Sequence, residues 1–183
     1  MGKAVCHPRL RFARGKRHER SEPCSELRLV APRGLIIMPQ MLLREATEKD
    51  AAGIRDLLAG DGLPASDLEA SRPVFIVACE NGKIIGTGGL QIFGPVALLR
   101  SVAVAPQWRR QGLGQTIVQE LERIARAAHV TQLVLLTHTA RSFFEQRGYR
   151  VIERGMIAAA VQGTEEFRSL CPASATCMRK IFA

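Results

Sequence analysis

The sequence predicts an α/β protein built on a mixed central sheet of about six to seven strands with helices on both faces, and three observations carry that prediction. An Asn81-Gly82 dipeptide separates two apolar runs, a strong signal for a tight hairpin. A glycine loop at residues 109–114 joins a Val-Ala-Val strand end to a long stretch with helical periodicity. After residue 130, short apolar runs alternate with helical segments. Strands that first meet in hairpins and are later separated by helices make a mixed sheet covered on both sides.

The elements follow in order. Leu42-Leu43-Arg44 is a short strand, and Thr47-Glu48-Lys49-Asp50 has the form of a capping box that opens a helix. Ala51, Ile54, Leu57 and Leu58 give that helix its apolar face; Gly60, Gly62 and Pro64 end it, and Ala65-Ser66-Asp67-Leu68 opens a second short one. Val74–Cys79 and Lys83–Leu90 are the arms of the hairpin, and Val96–Val104 follows the Gly94-Pro95 turn. Ile117, Val118, Leu121, Ile124, Ala125 and Ala128 recur at the spacing of an amphipathic helix that packs on a sheet. Leu133–Leu136 is a buried strand, Thr139–Arg147 a helix stopped by Gly148, and Tyr149–Ile152 a strand. Ala158–Leu170 reads as one helix flawed at Gly163, and Thr176–Ile181 as a closing strand.

Charge and composition narrow the class. The 183 residues suit one sizeable domain, and no apolar run approaches the roughly 20 residues that span a bilayer. The net charge of +9 is concentrated at the front, where nine basic residues stand against three acids before residue 38. Residues 1–40 lack periodicity and are broken by Pro8, Pro23, Pro32 and Gly34; they read as a basic, disordered leader to a domain at 41–183. Met38 and Met41 stand just before the first strand, and either would serve to start the folded part. With only Phe12 to stack on a base, the leader argues against nucleic-acid binding. Five cysteines without a CxxC pair read as reduced thiols in a cytoplasmic protein, and their spacing leads us to expect no metal.

The chemistry concentrates between Ser101 and Gln115. Amides at a helix start point outward without partners, the helix dipole favours an anion there, and glycines let a phosphate approach the main chain. Arg109-x-x-Gly112-x-Gly114 follows a Val-Ala-Val-x-Pro strand end, precedes the amphipathic helix, and is succeeded by a strand, a helix and Arg147-Gly148-Tyr149. Over about residues 42–155 this series resembles the GNAT N-acetyltransferases, whose R/Q-x-x-G-x-G/A loop holds the pyrophosphate of acetyl-CoA. The resemblance implies the GNAT fold, acetyl-CoA as co-substrate and a primary amine as acceptor; a homodimer is compatible with it.

Carried over by position, the resemblance implies that the main chain of Val102, Ala103 and Val104 pairs with the pantetheine arm, and that Gln111, Gly112, Leu113, Gly114 and Gln115 present amides to the pyrophosphate. Arg109 and Arg110 add charge, and Thr137 falls where relatives place an Asn against the cofactor. The family's tyrosine, which protonates the departing thiolate, is Phe144 here, and Phe has no proton to give. Tyr149 is expected to pack in the core. Residues 84–119 hold no Asp or Glu, which leaves His138, at the end of the fifth major strand beside Thr137, as the titratable candidate.

On the acceptor side, the Leu63–Leu68 loop, the Leu98–Val104 strand and the Glu166–Ser174 tail resemble the GNAT branch associated with arsenic-resistance operons. That resemblance implies an amino-acid-like antimetabolite such as phosphinothricin or its arsenical analogue as acceptor. Asp67 would then meet the ammonium and Arg100 the carboxylate or phosphinate. Cys171 and Cys177 are weighed as arsenic ligands and read instead as small buried hydrophobes. Acetylation of a protein or peptide amine and acyl-CoA sensing without catalysis stand as alternatives.

Overall fold

A computed structural model describes residues 41–182; the basic leader expected at 1–40 lies outside the described residues. Asn81 and Gly82 both take positive φ, 48° and 77°, the backbone that a two-residue hairpin turn requires. The turn joins β2 (Val74–Glu80) to β3 (Lys83–Phe93), and the chain returns after Gly94 as β4 (Val96–Val104). With β1 (Leu42–Glu45) outside β2, these strands make an antiparallel half-sheet. The other half contains β5 (Gln132–Thr137), β6 (Arg150–Val151) and β7 (Thr176–Ile181). Together they form one seven-stranded sheet in the order β1-β2-β3-β4-β5-β7-β6, mixed because β4 and β5 run parallel.

The helix after the glycine loop, α3 (Leu113–Ala127), buries Leu113, Ile117, Val118, Leu121 and Ala125 against one face of the sheet. Its seat is cut by two glycines of β3. A Cβ on Gly88 would stand 2.8 Å from both Ile117 Cγ2 and Leu121 Cδ1, and one on Gly86 2.8 Å from Ile117 Cδ1. Their missing side chains let α3 lie on the backbone of the strand.

The opposite face is covered by two groups. Ile54 and Leu58 of α1 (Ala51–Gly60), with Leu68 of α2 (Leu68–Ser71), pack on Val77, Cys79 and Ala103. Ile157, Val161 and Phe167 from the C-terminal quarter cover Val96, Leu98 and Val134. The capping box expected at Thr47–Asp50 forms before α1: the Asp50 carboxylate accepts the Thr47 amide at 2.7 Å and its hydroxyl at 2.9 Å. Asp50 is also held by Arg44, and that contact keeps its carboxyl down at about 2.

Two predicted helices are shorter than the pattern suggested. The segment expected as one helix over Ala158–Leu170 divides into α5 (Ala159–Gln162) and a single π-helical turn at Glu166–Leu170. Thr164 makes the break: its hydroxyl donates to the Val161 carbonyl at 2.7 Å and accepts the Phe167 amide at 3.3 Å, in competition with the helical ladder. The helix expected at Thr139–Arg147 is α4 (Arg141–Glu145), and Gly148 ends its last turn at φ 83°.

Tyr149 is a core residue, as expected, 2% exposed. Its hydroxyl donates to Glu122 Oε1 at 3.1 Å, and Lys180 Nζ lies 2.8 and 2.7 Å from the two oxygens of the same carboxylate. The three groups tie α3 to β7 and to the turn before β6. Burial, and then the Glu122 charge, push the phenol up from its ordinary value, so it holds its proton.

Gly88→Val is expected to destabilise the fold by about 1–3 kcal/mol through overpacking under α3. Gly114→Ala, whose Cβ would meet neighbours only at 3.6 Å, should leave stability almost unchanged. Urea unfolding of the two variants measures the contrast.

Candidate functional site: a parted strand pair below a helix start

β4 and β5 are paired only from Val96 with Gln132 to Leu98 with Val134. Beyond that point β4 stays with β3 and β5 stays with β7, so their facing edges part and leave a wedge-shaped opening. A bulge lies at its apex. Thr87 pairs with Ala103 and Gly89 with Arg100, so Ser101 and Val102 together oppose Gly88, and Ser101 takes φ 55°. The Ala105 amide donates to the Ile85 carbonyl, and the two-residue alternation turns the polar backbone atoms of Val104 and Val102 away from β3 towards the opening.

At the wide end the chain leaves β4 through a short turn at Pro106–Trp108 and enters α3 through Arg110 and Gly112, both left-handed at φ 62° and 85°. The Thr116 amide, bonded to the Gly112 carbonyl at 3.0 Å, is the first in the helix with a backbone acceptor. Among the described residues the amides of Gln111, Gly112, Leu113, Gly114 and Gln115 have none. Beyond its chain neighbours, no atom lies within 4 Å of a Cβ built on Gly112, so the loop is open at that residue. The arrangement fits a diphosphate at the helix start with an extended arm running along β4 to the apex.

The two arginines of the loop divide. Arg109, expected near the phosphates, turns elsewhere: its Nε donates to the Val104 carbonyl at 2.8 Å and its Nη2 pairs with Asp61. It fastens the end of β4 to the loop after α1, since Asp61 and the free carbonyl offer it better partners than solvent does. Arg110 is exposed and is the arginine available to an anion. Phe143 and Arg147, which sequence reasoning did not assign to the site, also border the helix start. The Arg147 guanidinium lies 3.5 Å from the centre of the Phe143 ring and donates to Gln115 Oε1 at 3.3 Å. Their four-residue spacing within the helix expected at Thr139–Arg147 was the available signal.

On the far side of the opening, the Thr137 hydroxyl accepts the Ala140 amide at 3.0 Å and so shapes the turn into α4. Phe144 is buried edge-on between Phe143 and Tyr149, with ring centres 5.0 and 5.3 Å away. His138 is exposed in the bend after β5.

The acceptor-side pair is brought together, but bonded to itself. Arg100 Nη2 donates to Asp67 Oδ1 at 2.6 Å and Nη1 to Oδ2 at 2.5 Å; the side chains are 0% and 3% exposed. Expected as separate anchors for the two ends of a zwitterion, they form one buried fork. Burial alone would raise the Asp67 carboxyl, but Arg100 overrides it and holds it below the usual carboxylate range. Glu166 joins from the C-terminal quarter, with Oε2 2.6 Å from Arg100 Nε and a side chain 7% exposed. That contact lies off the line of a directed hydrogen bond, and Oε2 has no hydrogen-bond donor. Burial raises the Glu166 carboxyl to about 7, against the pull of Arg100. Cys171 Sγ stands 3.9 Å from Glu166 Oε1. Cys171 and Cys177 are free cysteines, both pushed up to about 11 by burial. Among the described residues no three His, Cys, Asp or Glu gather as metal ligands.

Two expectations follow. Arg110→Ala should weaken coenzyme A binding about three- to tenfold, more at low salt, without moving the melting temperature, whereas Arg109→Ala should lower the melting temperature; calorimetry and thermal melts separate them. The raised Glu166 carboxyl gives stability that is complete below its ordinary value of 4.5 and is lost as pH rises through about 7. Asp50, held at about 2, contributes a constant amount over that window. Wild-type protein should therefore lose about 2–3 kcal/mol between pH 5 and 8 that Glu166→Gln does not lose, as read by urea titrations.

Comparison with known proteins gives a consistent picture. The chain is 29% identical over 119 residues to an amino-acid acetyltransferase of Aeromonas salmonicida, covering 60% of this chain and 27% of that one. It is 31% identical over 81 residues to an uncharacterised N-acetyltransferase of Chlorobaculum tepidum, covering 44% and 52%. The match thus spans about half or less of the length of these curated relatives. Among solved structures, Rv2747 of Mycobacterium tuberculosis, in complex with CoA, superposes with a TM-score of 0.65 at 24% identity over 78% of this chain and 99% of that one. N-acetylglutamate synthase of Neisseria gonorrhoeae, complexed with coenzyme A and N-acetyl-glutamate, gives 0.68 at 17% identity over 80% and 36%. The profile of the GNAT acetyltransferase family matches residues 41–149, the stretch that builds β1 to β5 with the parted strands and the helix start, and the chain belongs to that family.

Proposed function

We propose that the protein transfers the acetyl group of acetyl-CoA to the primary amine of a small, amino-acid-like molecule. The observation that carries this reading is the parting of β4 from β5 directly below the unpartnered amides of residues 111–115. In it, those amides and Arg110 hold the diphosphate, the open edge of Val102 and Val104 pairs with the pantetheine arm as an added strand would, and the thioester reaches the apex at Ser101. Placing amine and thioester together supplies much of the rate, and backbone donors at the bulge polarise the carbonyl. The amine nitrogen forms a bond to the carbonyl carbon, the C–S bond breaks, and the amine gives up one proton as the thiolate gains one. Phe144 cannot supply the latter proton, which comes from water.

The choice of acceptor draws on the amino-acid acetyltransferases among the relatives and on the resemblance to the arsenic-associated branch. Phosphinothricin and its arsenical analogue are accordingly the first acceptors to test. Thiol release from acetyl-CoA, measured across amino acids, phosphinothricin analogues, polyamines and peptides, should be strongest with the small amino-acid-like amines. Release with peptides alone would reassign the acceptor, and tight CoA binding with no release from any amine would make the domain a sensor.

A further inference from the structure

Beneath the C-terminal quarter the structure leaves two complementary sets of buried polar atoms short of hydrogen bonds. The first is acceptors. Gln91 Oε1 receives no hydrogen bond, and Glu166 Oε2, ion-paired with Arg100 Nε at 2.6 Å, receives none of directed geometry. Gln91 pairs with Leu98 and Gly89 with Arg100, which puts Gln91 on the same sheet face as Arg100, diagonally across the strand pair. The second set is donors. Arg154 Nε and Nη2 are buried without an acceptor; its Nη1 reaches the Pro172 carbonyl at 3.3 Å and its guanidinium lies 4.7 Å from the centre of the Phe167 ring. No acid pairs with Arg154 among the described residues. Cys171 links the sets: it touches Glu166 and feels the charges of both Glu166 and Arg154.

Orphaned buried groups are costly, and a folded protein keeps few of them without a use. Here their chemistry is specific. The Arg100 fork with Asp67 and Glu166 holds two carboxyl groups for one guanidinium, so that once Glu166 gives up its proton the cluster carries an excess negative charge that a cation with several N–H donors would balance. The free edge of Arg154 offers two parallel N–H groups to a planar or tetrahedral oxyanion. A molecule carrying an ammonium and an oxyanion satisfies both sets together. The patch also adjoins the reacting end of the opening, because Arg100 immediately precedes the bulge at its apex.

We propose that the segment from Arg154 to Cys171 is the receptor for a zwitterionic acceptor, with Arg154 binding its carboxylate or phosphinate and Glu166 binding its ammonium and then taking the proton. This inference rests on the acetyl-transfer reading and gives its acceptor site named residues. The Glu166 carboxylate removes one proton from R–NH3+, leaving a neutral amine to attack the thioester; the carboxylic acid returns the proton to water after the amide forms and the thiol departs. The elevated proton affinity of Glu166 suits that exchange near neutrality. Besides Arg100, Asp67, Cys171 and Arg154, no other charged group is resolved as acting on Glu166 or Cys171.

The test uses the full chain with coenzyme A bound, titrated calorimetrically with phosphinothricin and L-glutamate, and acetyl transfer to the same two compounds and to spermidine. Arg154→Gln and Glu166→Gln should each weaken binding of the zwitterions at least tenfold, while coenzyme A affinity stays unchanged. Arg154→Lys and Glu166→Asp, which keep charge and fold, should recover part of it. For transfer, kcat/KM of the wild type should rise through a limb near pH 7 that Glu166→Gln lacks, with a loss of about 100-fold at pH 8. Unchanged zwitterion affinity in folded Arg154→Gln and Glu166→Gln overturns the receptor. Acetylation of spermidine with no binding of either zwitterion overturns it too, while leaving acetyl transfer standing. Binding of zwitterions that depends on both residues, without any thiol release, supports the receptor and removes the enzymatic reading.

Discussion

Everything in this molecule is arranged around two parallel strands that cannot stay together. β4 is committed to β3 along its length and β5 to β7, and only three register positions between β4 and β5 satisfy both commitments. Past Leu98 and Val134 each strand follows its other neighbour, and a sheet that would otherwise be continuous opens within itself. An open edge inside a sheet exposes backbone donors and acceptors that seek a partner. In the proposed function an extended ligand, and not a further strand, meets that need; the opening lies at the centre of the fold and not at its rim.

The surroundings keep the opening in shape. Gly86 and Gly88 let α3 press onto β3, and this fixes the height at which the first amides of the helix stand over the gap. The Tyr149, Glu122 and Lys180 knot fastens the same helix to β7, the strand that holds β5 away from β4. Arg109 secures the exit of β4 by bonding the Val104 carbonyl and reaching Asp61. Both walls of the wedge are therefore referred to one helix.

Much of this was legible in the residues because the signals were local. Asn81-Gly82 specifies its turn by backbone conformation alone, and the apolar repeat from Ile117 to Ala128 has one satisfactory partner, a sheet face. The helix start could be assigned because glycine spacing and the preceding strand end are adjacent in the chain. What could not be read was pairing across distance. Arg100 meets Asp67, 33 residues earlier, and Glu166, 66 residues later, and no periodicity connects them. The span 84–119 holds no carboxylate, and Glu166 reaches Arg100 from the helical turn after α5, far along the chain. Arg109 was misdirected for a similar reason: the competing attraction of Asp61 lies in a loop whose path depends on α1. The fracture of the segment after Ala158 was half visible at Gly163, but the decisive group is the hydroxyl of Thr164, which is equally at home inside a helix or at its break.

The bulge at Ser101 and Val102 also determines which side of the sheet each ligand meets. An unbroken strand would put Arg100 and Ala103 on opposite faces, since they stand three positions apart; the additional residue restores Ala103 to the side of α1 while Val102 and Val104 turn with α3. The sheet thereby acts as a partition, with the turned-out backbone of Val102 and Val104 and the start of α3 on one side and the cluster of Arg100, Asp67 and Glu166 on the other. Were a thioester carrier and an amine to take these two sides as proposed, neither would have to pass its counterpart on the way in or out, and their order of loading and departure would carry no steric precedence.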